Sequence, residues 1–192
     1  MTDYVVWGAT PLGGYASFLP LDHVEDDYEL KDGLSRAEGW PDDASFAMNP
    51  SYPRDVALAD AVYTRGGDGL PVVSPALRAA IEAAEPPDVE YLPVRLIDHK
   101  GAVVAEDYVI AHSVHVVDAL DHDAMGIEWN ALDPMAIQTC DRMALREEPL
   151  AHAPALFRPR NFTHRVLVRR DVAEALEGFS GVFFDELDEV TD

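Results

Sequence analysis

The pattern that most limits the fold is a strand–helix–strand unit that occurs twice. In the first copy, Leu70 to Val73 forms an apolar strand, Ser74 stands at an N-cap and Pro75 at the first helical position. Leu77, Ala80, Ile81 and Ala84 then recur at i, i+3, i+4 and i+7, which places them on one helix face. Pro86-Pro87 stops that helix, and Val89 to Leu96 runs as a second strand. Within it Pro93, which has no N–H to donate, marks a sheet edge or a bulge. The unit returns 95 residues later. There Arg165 to Arg169 reads as a strand, Asp171 with Glu174 as a capping box, and Val172, Ala175, Leu176 and Phe179 as the matching stripe. Gly178 and Gly181 end this helix and Val182-Phe183-Phe184 forms the exit strand. Two copies are too few for a solenoid, so the units bracket a central region. The fold class expected is α+β, with a mixed or antiparallel sheet.

Between the units, Val103 to Val117 is an apolar, strand-rich run expected to be buried. Turn signals follow at Asp118 to Asp123, with further β-like pieces at Ile137 to Leu145 and Ala155 to Phe157. Ahead of the first unit only Tyr4-Val5-Val6-Trp7 reads as a strand. The rest, to about residue 69, is punctuated by Pro20, Pro41, Pro50 and Pro53 and by the turns Gly13-Gly14 and Gly66-Gly67-Asp68-Gly69. One brief helix is expected within Asp55 to Tyr63. A stretch this irregular must drape over the core on aromatic anchors, among them Tyr15, Phe18, Trp40, Phe46 and Tyr52. Functional loops and a plain covering arm are both open readings of it. At 192 residues the chain is long enough for one self-supporting core. A single domain is expected, 1–69 as a loop-rich arm and 70–192 as the α+β core.

The formal charge is −22, from 36 acidic and 14 basic residues. Such a field repels phosphate backbones and anionic lipid and attracts cationic surfaces, which argues against direct nucleic-acid binding. A basic protein partner, solubility, and adaptation to a salty cytoplasm are three open explanations of the charge. A hydrophobic content of 48% keeps the chain out of the disordered acidic class. Cys140, the single cysteine, has no internal disulfide partner, and Met1-Thr2-Asp3 begins no secretory signal, so a cytoplasmic location is expected. No apolar run approaches the roughly 20 residues that cross a bilayer.

Catalytic motifs give little. His112 and His115 are three apart and on one strand would point to opposite faces. Asp118, Asp121, His122 and Asp123 gather carboxylates in one loop, as a hard cation would want, but also as turn-capping Asp residues do. Cys140 beside Asp141 offers a nucleophile or a small buried apolar residue. No G-x-S-x-G, H-E-x-x-H, Walker A or C-x-x-C motif is present, so no enzyme activity, cofactor or metal is expected. Two acidic runs remain as partner-binding candidates: Glu25, Asp26 and Asp27, and the run containing Asp185, Glu186, Asp188 and Glu189. The second would present its charge at a fixed place if Leu187 packs.

The order of landmarks resembles a known family. Tyr4-Val5-Val6-Trp7 is followed by Leu70-Pro71-Val72-Val73-Ser74, Val89-Glu90-Tyr91-Leu92-Pro93-Val94, Tyr108-Val109-Ile110, Val117-Asp118-Ala119-Leu120-Asp121, Leu156-Phe157-Arg158 and Gly181-Val182-Phe183-Phe184. Over roughly residues 65 to 187 this is similar to the eleventh, myxobacterial-type family of polymorphic-toxin immunity proteins. The resemblance implies a cytoplasmic protein that binds and neutralises a cognate toxin, and it brings no catalytic residues. Two other classes stay open from the residues: a metal-dependent or hydrolytic enzyme using the Asp118–Asp123 loop, and a scaffold protein without a toxin.

Overall fold

The computed structural model describes residues 3–8, 10–66, 69–84 and 89–187. In chain order the strands are β1 (Tyr4–Gly8), β2 (Ser17–Phe18), β3 (Ser45–Ala47), β4 (Ala61–Thr64), β5 (Val72–Val73), β6 (Val89–Ile97), β7 (Val103–Ser113), β8 (Val116–Val117), β9 (Ile127–Trp129), β10 (Ile137–Cys140), β11 (Leu156–Pro159), β12 (Leu167–Arg169) and β13 (Phe183–Asp185). The helices are α1 (Tyr28–Lys31), α2 (Pro75–Ala84), α3 (Glu147–Leu150) and α4 (Arg170–Leu176). Two mixed sheets result, in the orders β2-β4-β5-β7-β6-β3 and β13-β1-β12-β11-β8, with β9 and β10 as a separate hairpin. The fold class is therefore α+β.

Each sequence unit wraps around a third strand. β5 and β6 both pair antiparallel with β7, and β12 and β13 both pair antiparallel with β1. The helix in each unit therefore crosses over a strand that the unit itself does not supply. Strand alternation then sorts the side chains. Val5 and Trp7 of β1 and Val109 and Ala111 of β7 turn inward, onto Leu77 and Ile81 of α2 and Val172, Ala173 and Leu176 of α4. Tyr4 and Val6 turn to the opposite face, with Phe157, Leu167 and the 119–143 segment. Tyr108 and Ile110 turn to the far face of the other sheet, over Phe18, Leu30, Phe46 and Met48. The paired helices thus lie between two sheets, and each sheet carries a second apolar layer outside.

Local expectations are met in the first unit and shifted in the second. Ser74 Oγ accepts the Leu77 N–H at 3.2 Å, an N-cap directly ahead of Pro75. The stop at Pro86-Pro87 lies outside the described residues. α4 begins at Arg170 with Arg169 as N-cap, so the capping box at Asp171 and Glu174 does not form. Asp171 instead accepts from the Arg169 guanidinium and from the Val172 N–H. Its buried face runs through Ala173, and Ala175 is exposed. At Pro93 β6 is an open edge, because β3 pairs only with Arg95, Leu96 and Ile97; the register shifts come just after it. β7 is exposed at Val103 and Val104 and buried from Tyr108 on, contrary to the expected burial throughout. The reason is that β5 reaches only Val109 and Ile110, which leaves residues 103–107 without a neighbour on that side.

The N-terminal segment is woven into the six-stranded sheet through β2, β3 and β4. Phe18 and Phe46 anchor it as expected, whereas Tyr52 is exposed. No helix forms within Asp55 to Tyr63; the backbone there bridges to Tyr15 at Ala57 and offers its Ala59 carbonyl to the Tyr108 hydroxyl. The short helix lies at Tyr28–Lys31 instead.

Two polar nodes hold these layers in register. The Asp60 carboxylate accepts from Ser74 Oγ at 2.9 Å, Ser180 Oγ at 2.7 Å and the Ser180 N–H at 3.0 Å, joining the start of α2 to the loop after α4. Next to it Gly181 has φ +79°, and a Cβ there would stand 2.0 Å from Ala61 O, so only glycine fits. Where the sheets meet, Arg158 of β11 is fully buried. It donates from Nε to Ser113 O at 2.9 Å, from Nη1 to Thr163 O at 2.7 Å and from Nη2 to Gly69 O at 2.7 Å.

Candidate partner-binding surface

The first acidic run sits in the turn leading into α1. His23 and Asp26 both take positive φ, 64° and 54°, which folds the chain back on itself. Arg36 fastens the turn from inside, donating from Nη2 to Glu25 O at 3.0 Å and from Nη1 to Asp26 O at 3.4 Å, and pairing with the Glu29 carboxylate. The Arg36 backbone N–H in turn donates to Glu90 Oε2 at 3.1 Å, and the Ser35 hydroxyl donates to the other Glu90 oxygen, so β6 holds the whole turn. The main chain faces inward, and Glu25 and Asp26 stay exposed with Asp27 half-buried. The local field is strong enough to push up the neighbouring Tyr28 phenol, chiefly through Asp26, then slight burial and Glu29.

The second run continues from β13. Leu187 is buried with Phe157 and Met143, and the Met143 N–H donates to Leu187 O at 2.8 Å, so the condition for a fixed presentation is met. The charge itself is partly spoken for. Glu186 accepts two bonds of 2.7 Å from Arg170, which hold its carboxyl below the usual range. Burial pushes the Asp185 carboxyl up, against the opposing pull of Arg165. Asp188 and Glu189 lie outside the described residues. The two runs are carried by different sheets, the first against β6 and the second beside β1. Sequence reasoning missed Arg36 and Arg170, the cations that shape both runs. Opposite charge was the available signal, but no fixed spacing links Arg170 to a carboxylate 16 positions on.

The residues considered for catalysis are scattered. His112 is fully buried; its Nε2 donates to Leu34 O at 2.9 Å and its Nδ1 lies 3.5 Å from Arg158 Nη2. Burial depresses its pKa; the Leu34 bond opposes this and Arg158 reinforces it. β7 ends at Ser113, so His115 is off the strand, its carbonyl accepting the Arg158 N–H at 2.7 Å. Asp118 pairs with Arg146 at 2.5 Å, and His122 stacks edge-on to Trp129 at 5.4 Å. Cys140 is buried among apolar residues of the outer layer. Among the described residues, no three His, Cys, Asp or Glu side chains converge as a metal ion would need. No helix among them is long and apolar enough to cross a membrane.

Comparison with curated proteins finds no match. The model of the immunity protein family Imm11 matches residues 20–189, which takes in the first run, both strand–helix–strand units, the Arg158 node and the second run up to Glu189. With that match spanning most of its length, the chain belongs to the Imm11 immunity protein family.

Proposed function

We propose that this chain acts in the cytoplasm as a non-catalytic inhibitor that binds and neutralises a cognate toxin domain. The observation that carries this reading is membership of an immunity family across residues 20–189, since immunity requires a toxin to be met and blocked. The net charge of −22 supports a basic partner: steering by a field of this sign speeds encounter with a cationic surface. Glu25 and Asp26, with the half-buried Asp27 beside them, form the better contact patch, because the Glu25 and Asp26 side chains are exposed while Arg36 bonds only their main-chain carbonyls. Asp185 and Glu186 offer a second patch, which a partner can use fully only by displacing Arg170 from Glu186; Asp188 and Glu189, next in sequence, are proposed to add to the contact. Where a gene neighbouring this chain's encodes a candidate toxin domain, growth of cells expressing that domain, with and without this chain, tests the proposal. Rescue supports it and continued killing contradicts it.

A further inference from the structure

Among the described residues, the two most exposed large apolar side chains are on neither acidic run. They are Leu132, 95% exposed, and Met135, 68%, and with Trp129, 41% exposed, they lie within seven residues at the tip of the β9–β10 hairpin. A mobile loop would offer such side chains at a high entropic cost to any partner, but this tip is held. Asn130 Oδ1 accepts the N–H groups of Leu132 at 2.8 Å and Asp133 at 3.2 Å, and Asp133 Oδ1 accepts that of Met135 at 3.0 Å. The loop closes with Asn130 N–H to Ala136 O at 2.9 Å and Ala136 N–H to Asp133 O at 3.0 Å. Asn161, at φ +70°, clamps the far side, donating to Met135 O at 2.7 Å and accepting the Ile137 N–H at 2.7 Å. The fold therefore pre-pays the ordering of residues that it leaves bare to water.

The surroundings specify the occupant. Residues 121–141 contain Asp121, Asp123, Glu128, Asp133 and Asp141 and no Lys or Arg; even with Arg142, which donates to Ala124 O at 2.8 Å, and Arg160, which precedes the clamping Asn161, carboxylates outnumber cations around the hairpin. A second copy docked tip to tip would bring two such acidic collars together, on chains that each carry −22, and like charges so placed oppose association. A cationic surface with an apolar recess fits both parts of the tip.

We infer that the hairpin tip carrying Trp129, Leu132 and Met135 is an apolar anchor that seats in a basic-rimmed pocket of the toxin. This rests on the toxin-binding reading and deepens it, because the acidic runs supply encounter while a desolvated apolar centre supplies residence time.

The test uses the full chain and the purified toxin domain encoded beside its gene. Leu132→Ser with Met135→Ser leaves the charge untouched and removes side chains that pack against little, so the melting temperature should stay within about 2 °C of the parent. The dissociation constant should rise at least roughly thirty-fold, as for loss of an interface hot spot. Val56→Ser, at another exposed apolar position, should leave it within about three-fold. Unchanged affinity in the double variant overturns the anchor and leaves toxin binding standing. Failure of the parent chain to bind overturns both. A parent dimer in sedimentation that dissociates in the double variant overturns the anchor in favour of a second copy as the occupant.

Discussion

Arg158 is the sharpest place to test the packing of the two sheets. Arg158→Met keeps an unbranched side chain of similar length, so little cavity forms and the outcome is decided by desolvation and lost hydrogen bonds. Burial holds the guanidinium pKa down from 12.5 to about 10, which at 1.36 kcal/mol per unit means that keeping the cation dehydrated costs about 3 kcal/mol. Methionine removes that cost. Against it, Ser113 O loses a charge-assisted donor inside the core, and Gly69 O and Thr163 O lose theirs in half-buried positions. Orphaning these three carbonyls costs together about 6 kcal/mol. The difference is a net loss of about 3 kcal/mol, equivalent to a drop of roughly 6–12 °C in melting temperature for a chain of this size. Urea unfolding followed by tryptophan fluorescence measures it, with an unchanged slope confirming that only stability has moved. A loss under about 1 kcal/mol, or a gain, would refute the view that these carbonyls depend on Arg158.

Asp60→Asn leaves one acceptor oxygen where the carboxylate now takes three bonds from Ser74 and Ser180, and should cost about 2 kcal/mol. Burial alone would raise the Asp60 carboxyl, but the bonds from Ser180 and Ser74 outweigh it and lower its pKa. A lowered carboxylate gives stability that is present above the unfolded-state pKa and lost as pH falls through the folded one. Thermal melts from pH 6 to pH 3 should thus fall less steeply for Asp60→Asn than for the parent, and parallel curves would sink the assignment. Neutralising the first run, Glu25→Gln with Asp26→Asn and Asp27→Asn, should slow association with the toxin domain several-fold at 0.1 M salt and hardly at all at 1 M, where the Debye length falls from about 10 Å to about 3 Å. Stopped-flow rates that ignore both the substitutions and the salt would remove steering from the mechanism.

What could be read in the sequence was whatever the local period determines. Leu77 and Ile81 declared the buried face of α2, Ser74 its cap, and Tyr4 to Trp7 a strand, because each is set by neighbours in the chain. α4 was found with Val172 and Leu176 on its buried face and Phe179 packed just past its end, but its start was misplaced, since Arg169 is the N-cap and Asp171 binds the Arg169 guanidinium in preference to capping the helix. β2, β3 and β4 were invisible. Each is two to four residues long and exists because a distant strand pairs with it, β3 against Arg95 to Ile97 for example. The same holds for function. The acidic runs are legible as composition, but which carboxylates stay open depends on Arg36 and Arg170. Leu132 and Met135 sit among Asn130, Asp133 and Pro134 and read as an ordinary turn; only their exposure in the folded chain separates them from residues under cover.

The central claim is that this chain protects by binding a toxin, and one growth measurement tests it most directly. Cells carrying the neighbouring toxin domain under an inducible promoter are co-transformed with this chain or an empty vector, and colony counts are compared after induction. Protection predicts that the chain restores counts to those of uninduced cells, and that toxin and chain co-purify from the survivors. Equal killing with and without the chain, at matched levels of soluble protein, would contradict it.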